Sequence, residues 1–183
     1  SWYNVMGYPT IIIDGIESHA SGGPASNYLS VYDKVKEEYE KRVNIGSPYE
    51  IELTYENTLN EGVAKAVVKK VNDNASNDER LFIALAESHI QQNWGGGLSE
   101  LNAVVRDILT STSGVKLVGN INEYTASFSF NNEWNKENCY IVAWVQDVDS
   151  KEVYQAVKIS VDSESYPEQP DDDDNTATAP SMR

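Results

Sequence analysis

The chain has 183 residues, enough for one large domain or one and a half small ones, and its 40% share of apolar residues is enough for a hydrophobic core. Its net charge of −15 and its pI near 4.4 argue against nucleic acid and anionic membrane surfaces as partners. No apolar run approaches the roughly 20 residues of a membrane-spanning helix.

The chain opens with a predicted strand and turn. Residues 11–13 are three consecutive isoleucines, which predict a buried strand because β-branched residues favour extended backbone. Asp14-Gly15 predicts a hairpin turn after this strand, since the pair accepts positive φ at low cost. Residues 15–26 are predicted to form a loop, interrupted by Gly22-Gly23-Pro24.

A helix is predicted after this loop, with Ser26 or Asn27 as its N-cap. Its apolar face is marked by four residues at helical spacing, namely Tyr28, Tyr32, Val35 and Tyr39. Lysines and glutamates form the opposite, solvated face. Gly46-Ser47-Pro48 ends this strand–turn–helix unit, so residues 1–46 are predicted to be a region of their own.

Residues 47–161 are predicted to form an antiparallel β-sandwich of immunoglobulin type, because short strands alternate with polar turns. Residues 49–55 and 124–130 alternate between apolar and polar side chains, which is typical of half-buried strands. Residues 81–86 and 139–145 are apolar on both faces, which favours central strands. Residues 98–109 fit both a helix and a strand, and Val104-Val105 favours the extended form.

The last part of the chain, residues 162–183, is acidic and rich in Pro, Thr and Ala. Such a composition does not bury enough surface to order itself, so this part is predicted to be a disordered tail or a linker to a further module. The predicted fold class is therefore α+β.

The Gly7-Tyr8-Pro9-Thr10 element is similar to the second half of a thioredoxin-like domain, where a proline before a central strand faces the redox cysteines. The resemblance implies that Tyr8, Pro9 and Thr10 form a strand that contacts a substrate peptide. It also implies that residues 1–46 are the C-terminal part of such a domain, and that the chain begins in the middle of it. The chain's single cysteine, Cys139, is predicted to be a buried apolar residue and supplies no thiolate.

The remaining candidate residues give weaker indications of a ligand-binding or metal site. Trp94, followed by three glycines in a long loop, is a candidate ligand platform or a lid. His19 and His89 have no ligand at metal-binding spacing, and Asp171 to Asp174 lack the alternation of a calcium loop. The sequence therefore predicts no catalytic residue, no cofactor and no metal site.

The order of motifs along the chain resembles the Omp28-related proteins of Bacteroidetes-type bacteria. The residues that carry this resemblance lie between positions 3 and 161 and include the opening YNVMGYPTIIIDG, then LFIALAE (81–87), LNAVVRD (101–107) and YIVAWVQD (140–147). Such proteins join a thioredoxin-like domain to an immunoglobulin-like domain and are exported or attached to the outer membrane surface. The resemblance therefore implies an architecture and a location more than an activity.

Three functional hypotheses follow. The leading one is a non-enzymatic, extracytoplasmic binding or scaffold protein, secreted or attached to the cell surface, with a protein or glycan partner. The competing one is a thiol–disulfide oxidoreductase, or disulfide-handling protein, whose redox cysteines lie upstream. The third is a subunit of a larger surface assembly, because half of a thioredoxin-like domain exposes an unpaired sheet edge.

Overall fold

A computed structural model gives the fold of the chain. It describes the backbone alone at residues 17–20 and 176–178, and backbone and side chains at 2–5, 10–16, 27–58, 60–73, 78–92 and 99–161. The described elements, in chain order, are β1 (Thr10–Ile13), β2 (Glu17–Ala20), α1 (Tyr28–Arg42), β3 (Tyr49–Asn57), β4 (Glu61–Lys70), β5 (Glu79–Glu87), β6 (Ile90–Gln91), β7 (Glu100–Leu101), β8 (Val104–Ile108), β9 (Val115–Lys116), β10 (Ile121–Ser129), β11 (Cys139–Asp147), β12 (Val153–Ser160) and β13 (Thr176–Thr178).

Two antiparallel sheets make up most of the molecule. Sheet I has the order β10-β4-β3-β13, and sheet II has the order β12-β11-β5-β8 with β9 also paired to β5. The predicted α+β class and the sandwich-like arrangement are therefore confirmed. The single α-helix of the described residues falls short of the length and apolarity that a membrane span needs.

The core lies between the two sheets and follows from the alternation of side chains along their strands. On β3, Ile51 and Leu53 are fully buried while Glu52 between them is exposed. On β11 of sheet II, Ile141 and Val145 are fully buried and face the same interior. Successive side chains of a strand point to opposite faces, so each sheet contributes every second residue to one shared core.

Sheet II differs from sheet I because its central strands are apolar on both faces. On β5, Ile83 and Leu85 belong to the core, while Phe82, Ala84 and Ala86, which alternate with them, are also buried although they face outward. The prediction that residues 81–86 form a central strand is confirmed, since β5 pairs with β11 on one side and with β8 and β9 on the other.

The N-terminal unit, by which we mean the strand–turn–helix region within residues 1–46, contains the predicted turn and helix, with one correction. The Asp14-Gly15 turn has positive φ at both residues, 47° and 77°. It joins β1 to β2, so the prediction that residues 15–26 form a loop was wrong for the stretch Glu17–Ala20, which pairs with β1. β2 was hard to recognise in the sequence because it is only four residues long and most of them are polar.

The helix forms as predicted, but its tyrosine face is not covered by described residues. Tyr28, Tyr32 and Tyr39 are 67%, 60% and 53% exposed, and no residue of α1 is buried. Asn27 occupies the N-cap position, but its side chain accepts no capping hydrogen bond from the backbone. Helical spacing therefore predicted the element correctly and its packing incorrectly.

Two segments of uncertain form in the sequence contain strands. Within residues 98–109, β7 and β8 confirm the extended interpretation over the helical one. Within residues 162–183, which were predicted to be a disordered tail or a linker, Thr176–Thr178 forms β13 and pairs with β3, so the prediction of disorder was wrong for these three residues. The domain boundaries at residues 46 and 161 remain predictions.

Core burial predicts a large difference between two isoleucines. Ile141→Ala removes a side chain that is 0% exposed, and we expect the free energy of unfolding to fall by about 2–5 kcal/mol. Ile121→Ala, at a site that is 63% exposed on β10, is the matched control and should change it by less than about 0.5 kcal/mol. Urea denaturation measures both, and equal losses for the two variants would contradict the sandwich core.

Candidate functional site

A groove on the outer face of sheet II is the strongest candidate site among the described residues. We call it the Trp144 groove; its volume is about 440 Å³, and its lining residues are Trp2, Tyr3, Phe82, Ile108, Thr112, Trp144, Gln146 and Val153. Volumes of this order are typical of ligand pockets, which range over about 300–1,000 Å³. The lining is largely aromatic and aliphatic, so the groove is suited to binding an apolar group.

A stacked pair of rings forms the floor of the groove. Phe82 of β5 and Trp144 of β11 lie opposite each other in the strand register, with ring centroids 5.2 Å apart and planes inclined by 11°. Gly114 brings a turn against this pair, since a Cβ there would lie 2.7 Å from the Phe82 ring. The floor is therefore fixed by strand pairing on one side and by a glycine turn on another.

The amide of Gln146 supports the groove from its end. Trp144 Nε1 donates a hydrogen bond of 3.2 Å to Gln146 Oε1. Gln146 Nε2 in turn donates to the Tyr3 hydroxyl and to the Lys151 carbonyl, each at 2.7 Å. Gln146 is 5% exposed, and a buried amide of this kind requires such partners. The amide thus joins the indole of Trp144 to the N-terminal segment.

The Asp14-Gly15 turn docks the N-terminal unit beside the groove. The Val153 amide donates a hydrogen bond of 2.8 Å to the Asp14 carbonyl. A Cβ on Gly15 would lie only 1.9 Å from the Lys151 carbonyl oxygen, so the turn approaches the sandwich more closely than any side chain allows. Glycine is therefore required here for close approach as well as for its positive φ.

Arg42 at the end of α1 completes this junction. Its guanidinium pairs with the carboxylates of Asp14 and Glu152, and its side chain is only 11% exposed. Burial alone would lower the pKa of Arg42, but the hydrogen bonds to Glu152 and Asp14 raise it above its ordinary value. One cation therefore ties the helix to the hairpin turn and to the sandwich.

A buried polar cluster lies at the opposite end of sheet II. Glu87 is 3% exposed; its two carboxylate oxygens accept hydrogen bonds from Arg106 Nε (2.7 Å) and from the Asn135 amide (2.9 Å). Cys139 beside it is 1% exposed and donates through Sγ to the Asn135 carbonyl. Burial, with the charge of Glu87, raises the pKa of the Cys139 thiol to about 11. The thiol is thus protonated and enclosed, as the sequence predicted.

The predicted peptide-contact strand and ligand loop fall mostly outside the described residues. Thr10 begins β1, whereas Tyr8, Pro9 and Trp94 lie outside the described parts of the chain. On either side of the segment that contains Trp94, β6 pairs with β7 and the Gln92 amide donates to the Ser99 carbonyl. The proposed roles of these residues therefore stay predictions.

The histidines do not gather metal ligands in the described part of the chain. His89 Nδ1 lies 3.3 Å from Glu100 Oε1, and the His89 amide donates to the side chain of Asn102. Hydrogen bonds from Asn102 and Gln91, and then from His89, hold the pKa of Glu100 below its usual range. His19 is described only as backbone in β2, and no group of three potential metal-binding side chains occurs among the described residues.

Sequence reasoning missed the residues of the Trp144 groove. It identified the apolar runs that contain Phe82 and Trp144, but strand register is what places these two rings side by side. A usable signal was present, because large aromatic side chains stand at outward positions of strands whose inward positions are already apolar. A central strand with aromatic residues on its second face predicts a covered or ligand-binding surface.

Two solved structures have a similar fold. A domain of the outer membrane lipoprotein Omp28 from Porphyromonas gingivalis matches with a TM-score of 0.52 and 22% identity, over 63% of this chain and 88% of that one. HBP35 of Porphyromonas gingivalis matches with a TM-score of 0.63 and 15% identity, over 86% of this chain and 54% of that one. This chain therefore spans about half the length of the HBP35 chain.

At these identities the likeness shows the fold alone. The part of this chain that lies outside the HBP35 match contains fewer residues than the range 1–46. The match therefore includes part of the N-terminal unit as well as the sandwich. The likeness to an Omp28 domain agrees in fold with the resemblance described from the sequence. No protein-family model and no curated protein matches the chain.

The close approach at Gly15 predicts a specific loss of docking. Gly15→Ala should push the hairpin turn away from Lys151 and release Arg42, because the new Cβ meets a backbone oxygen at 1.9 Å. Trypsin cleavage after Arg42 should then become faster in the native protein. Gly119→Ala is the matched control, since Gly119 has nearly the same φ, +78° against +77°, and nothing within 4 Å. Equal cleavage rates in the two variants would refute this junction.

The raised pKa of Cys139 predicts a pH-dependent contribution to stability. The folded state holds the proton more tightly than the unfolded state, so burial of the thiol stabilises the fold below about pH 9 and this contribution falls as the pH rises toward about 11. The difference in unfolding free energy between the wild type and Cys139→Ala should therefore shrink across that range. Urea titrations at several pH values measure it, and a constant difference would contradict the assignment.

Proposed function

We propose that this chain is a non-enzymatic, extracytoplasmic binding module of a bacterial surface or secreted assembly, and that it binds a protein partner in the Trp144 groove. The observation that carries this proposal is the stacked Phe82–Trp144 floor on the outer face of sheet II. Of the described residues that line the groove, none is a carboxylate, histidine, lysine or cysteine. Such a lining favours the binding of an apolar group over acid–base chemistry.

The chemistry of the lining favours a protein partner over a glycan. Sugars need several polar side chains around a stacking ring, because each hydroxyl that leaves water must find a partner. In this groove both hydrogens of the Gln146 amide are already donated, to Tyr3 and to Lys151. An aromatic or large aliphatic side chain of a partner fills such a groove without unmet hydrogen bonds and can act as the anchor of an interface.

The proposed location rests on two observations. The motifs between residues 3 and 161 resemble the Omp28-related proteins, and the fold is similar to a domain of an outer membrane lipoprotein of that name. We therefore propose that the chain is Omp28-related and extracytoplasmic, secreted or attached to the outer cell surface. Membership of a larger assembly belongs to the same proposal.

The architecture proposed with this function has three parts. Residues 1–46 are the C-terminal part of a thioredoxin-like domain, residues 47–161 are an immunoglobulin-like sandwich, and residues 162–183 are an acidic tail or linker. The β1–turn–β2–α1 order supports the first part, and the two antiparallel sheets support the second. The enclosed, protonated Cys139 gives no support to the competing oxidoreductase hypothesis.

Selection from a phage-displayed random peptide library tests the proposed function. We expect the 183-residue chain to select peptides with an aromatic or large aliphatic anchor. Trp144→Leu, which removes the stacked floor but keeps an apolar side chain, should weaken their binding by about tenfold or more, which is about 1.4 kcal/mol. Isothermal titration calorimetry with the selected peptides measures the loss.

A matched pair of variants controls for general effects on the fold. Ile108→Ala removes a lining residue of the groove and should weaken the selected peptides, whereas Ile121→Ala on sheet I should leave their affinity unchanged. Selected peptides that bind Trp144→Leu as well as the wild type would refute the groove as the site. Binding on a glycan array that depends on Trp144, without any peptide selected, would assign a glycan partner instead.

A further inference from the structure

The edge of sheet I is covered by a short C-terminal strand of the same chain. We call the side of β3 that faces away from β4 the β3 edge. β3 is nine residues long, and β13 pairs with it over three residues. The described pairs are Thr176 with Thr54, Ala177 with Leu53, and Thr178 with Glu52.

We infer that the β3 edge is a docking site for an extended, basic peptide segment of a partner protein, which displaces β13 and adds a longer antiparallel strand to sheet I. This surface belongs to the other sheet and is separate from the Trp144 groove. Strand addition of this kind takes its affinity from backbone hydrogen bonds and its specificity from alternate side chains.

The length of β3 favours a longer occupant than β13. A partner strand that pairs with β3 beyond residues 52–54 forms more backbone pairs than the three described for β13. β13 is Thr-Ala-Thr, a strand of three small residues. The resident strand therefore shows that the edge accepts antiparallel pairing, and its small size makes it replaceable.

The charge of the outer face favours a basic occupant. Glu52 and Glu56 of β3 are both exposed, and neither forms an ion pair with a described residue. Their neighbours across the strand pair on β4 are Val67 and Val63, which bring no compensating charge. Lysine or arginine placed opposite these glutamates on a new strand forms cross-strand ion pairs.

Lys65, a basic residue on the same face, has another partner. Lys65 of β4 lies opposite Thr54 and pairs at 3.0 Å with Glu123 of β10, on the side away from the β3 edge. The other lysine of this face, Lys69, lies opposite Glu50 rather than opposite Glu52 or Glu56. An incoming strand can therefore place basic residues beside these two carboxylates. The net charge of −15 adds long-range attraction for a basic partner.

The register of β3 defines the pattern that such a peptide needs. Leu53 and Tyr55 of β3 point into the core, whereas Glu52 and Glu56 point to solvent. A residue that pairs with a core-facing position lies on the core side of the sheet, and its neighbours lie on the solvent side. The matching peptide therefore alternates apolar residues with basic or polar ones.

The tether of β13 accounts for a closed edge in the absence of a partner. Residues 162–175 connect β12 to β13 and include seven acidic residues and no basic one. Because β13 belongs to the same chain, its pairing with β3 is intramolecular, and a partner strand must bind more tightly to replace it.

Fluorescence anisotropy with a designed peptide tests the inference on the full chain. The probe is a labelled nine-residue peptide with valine opposite the core-facing positions of β3, lysine opposite Glu52 and Glu56, and threonine elsewhere. We expect it to bind about threefold to tenfold more tightly than the same peptide with glutamate at both lysine positions, with a larger ratio at low salt. Glu52→Lys should reduce or reverse this preference for the lysine peptide. The control is Glu133→Lys, which changes the charge equally in the loop after β10, at the far edge of sheet I. It should reduce the preference much less.

A variant of β13 tests displacement. In antiparallel pairing, one of two adjacent residues donates its N–H to the partner strand, so Ala177→Pro combined with Thr178→Pro removes that donor in either register. This double variant should bind the lysine peptide several-fold more tightly than the wild type. Equal affinity for the two variants of the peptide, or no gain in the proline variant, would overturn the inference. Dimers of the wild type that the proline variant loses, without peptide binding, would assign the edge to a second copy and overturn it as well.

Discussion

The amide of Gln146 is the interaction on which both the groove and the attachment of the N-terminal unit depend. Its oxygen holds the indole of Trp144, and its nitrogen holds the Tyr3 hydroxyl and the Lys151 carbonyl. That carbonyl is the surface against which Gly15 packs. An unpaired buried amide costs about 1–3 kcal/mol. These hydrogen bonds are therefore stable together, and the loss of one leaves a buried polar group without its partner. One side chain therefore orients the Trp144 ring in the floor of the groove and the Lys151 carbonyl at the junction together.

The groove itself follows from the apolar character of both faces of sheet II. Alternation gives β5 a core face with Ile83 and Leu85, but the residues between them are apolar too. A sheet with two apolar faces must cover the second one, as helices do in parallel sheets. Here Phe82 and Trp144 cover part of it by stacking on each other, and Trp2 and Tyr3 line the remaining space. The apolar group that completes this cover is the ligand that we propose.

The sequence predicted those features that depend on neighbours along the chain, and missed those that depend on register. Alternation at residues 49–55 predicted β3, and the apolar run at 81–86 predicted a central strand, because side-chain period reports directly on burial. The stacking of Phe82 on Trp144 needs the pairing of two strands that are far apart in sequence. The exposed tyrosines of α1 show the same limit, since helical spacing predicts an apolar face without showing what covers it.

The two sheets use different physics for recognition because their outer faces differ. Sheet I has a polar outer face, as on β3, where exposed glutamates alternate with core residues. Such a face offers only scattered apolar side chains, such as Val63 of β4. Binding there therefore depends mainly on the backbone groups of an edge strand and on the charges beside it. Sheet II has an apolar outer face, where Trp144 offers area and few free hydrogen bonds. A sandwich with one face of each kind can therefore hold a basic strand at one edge and an apolar anchor on the opposite side without competition between the two.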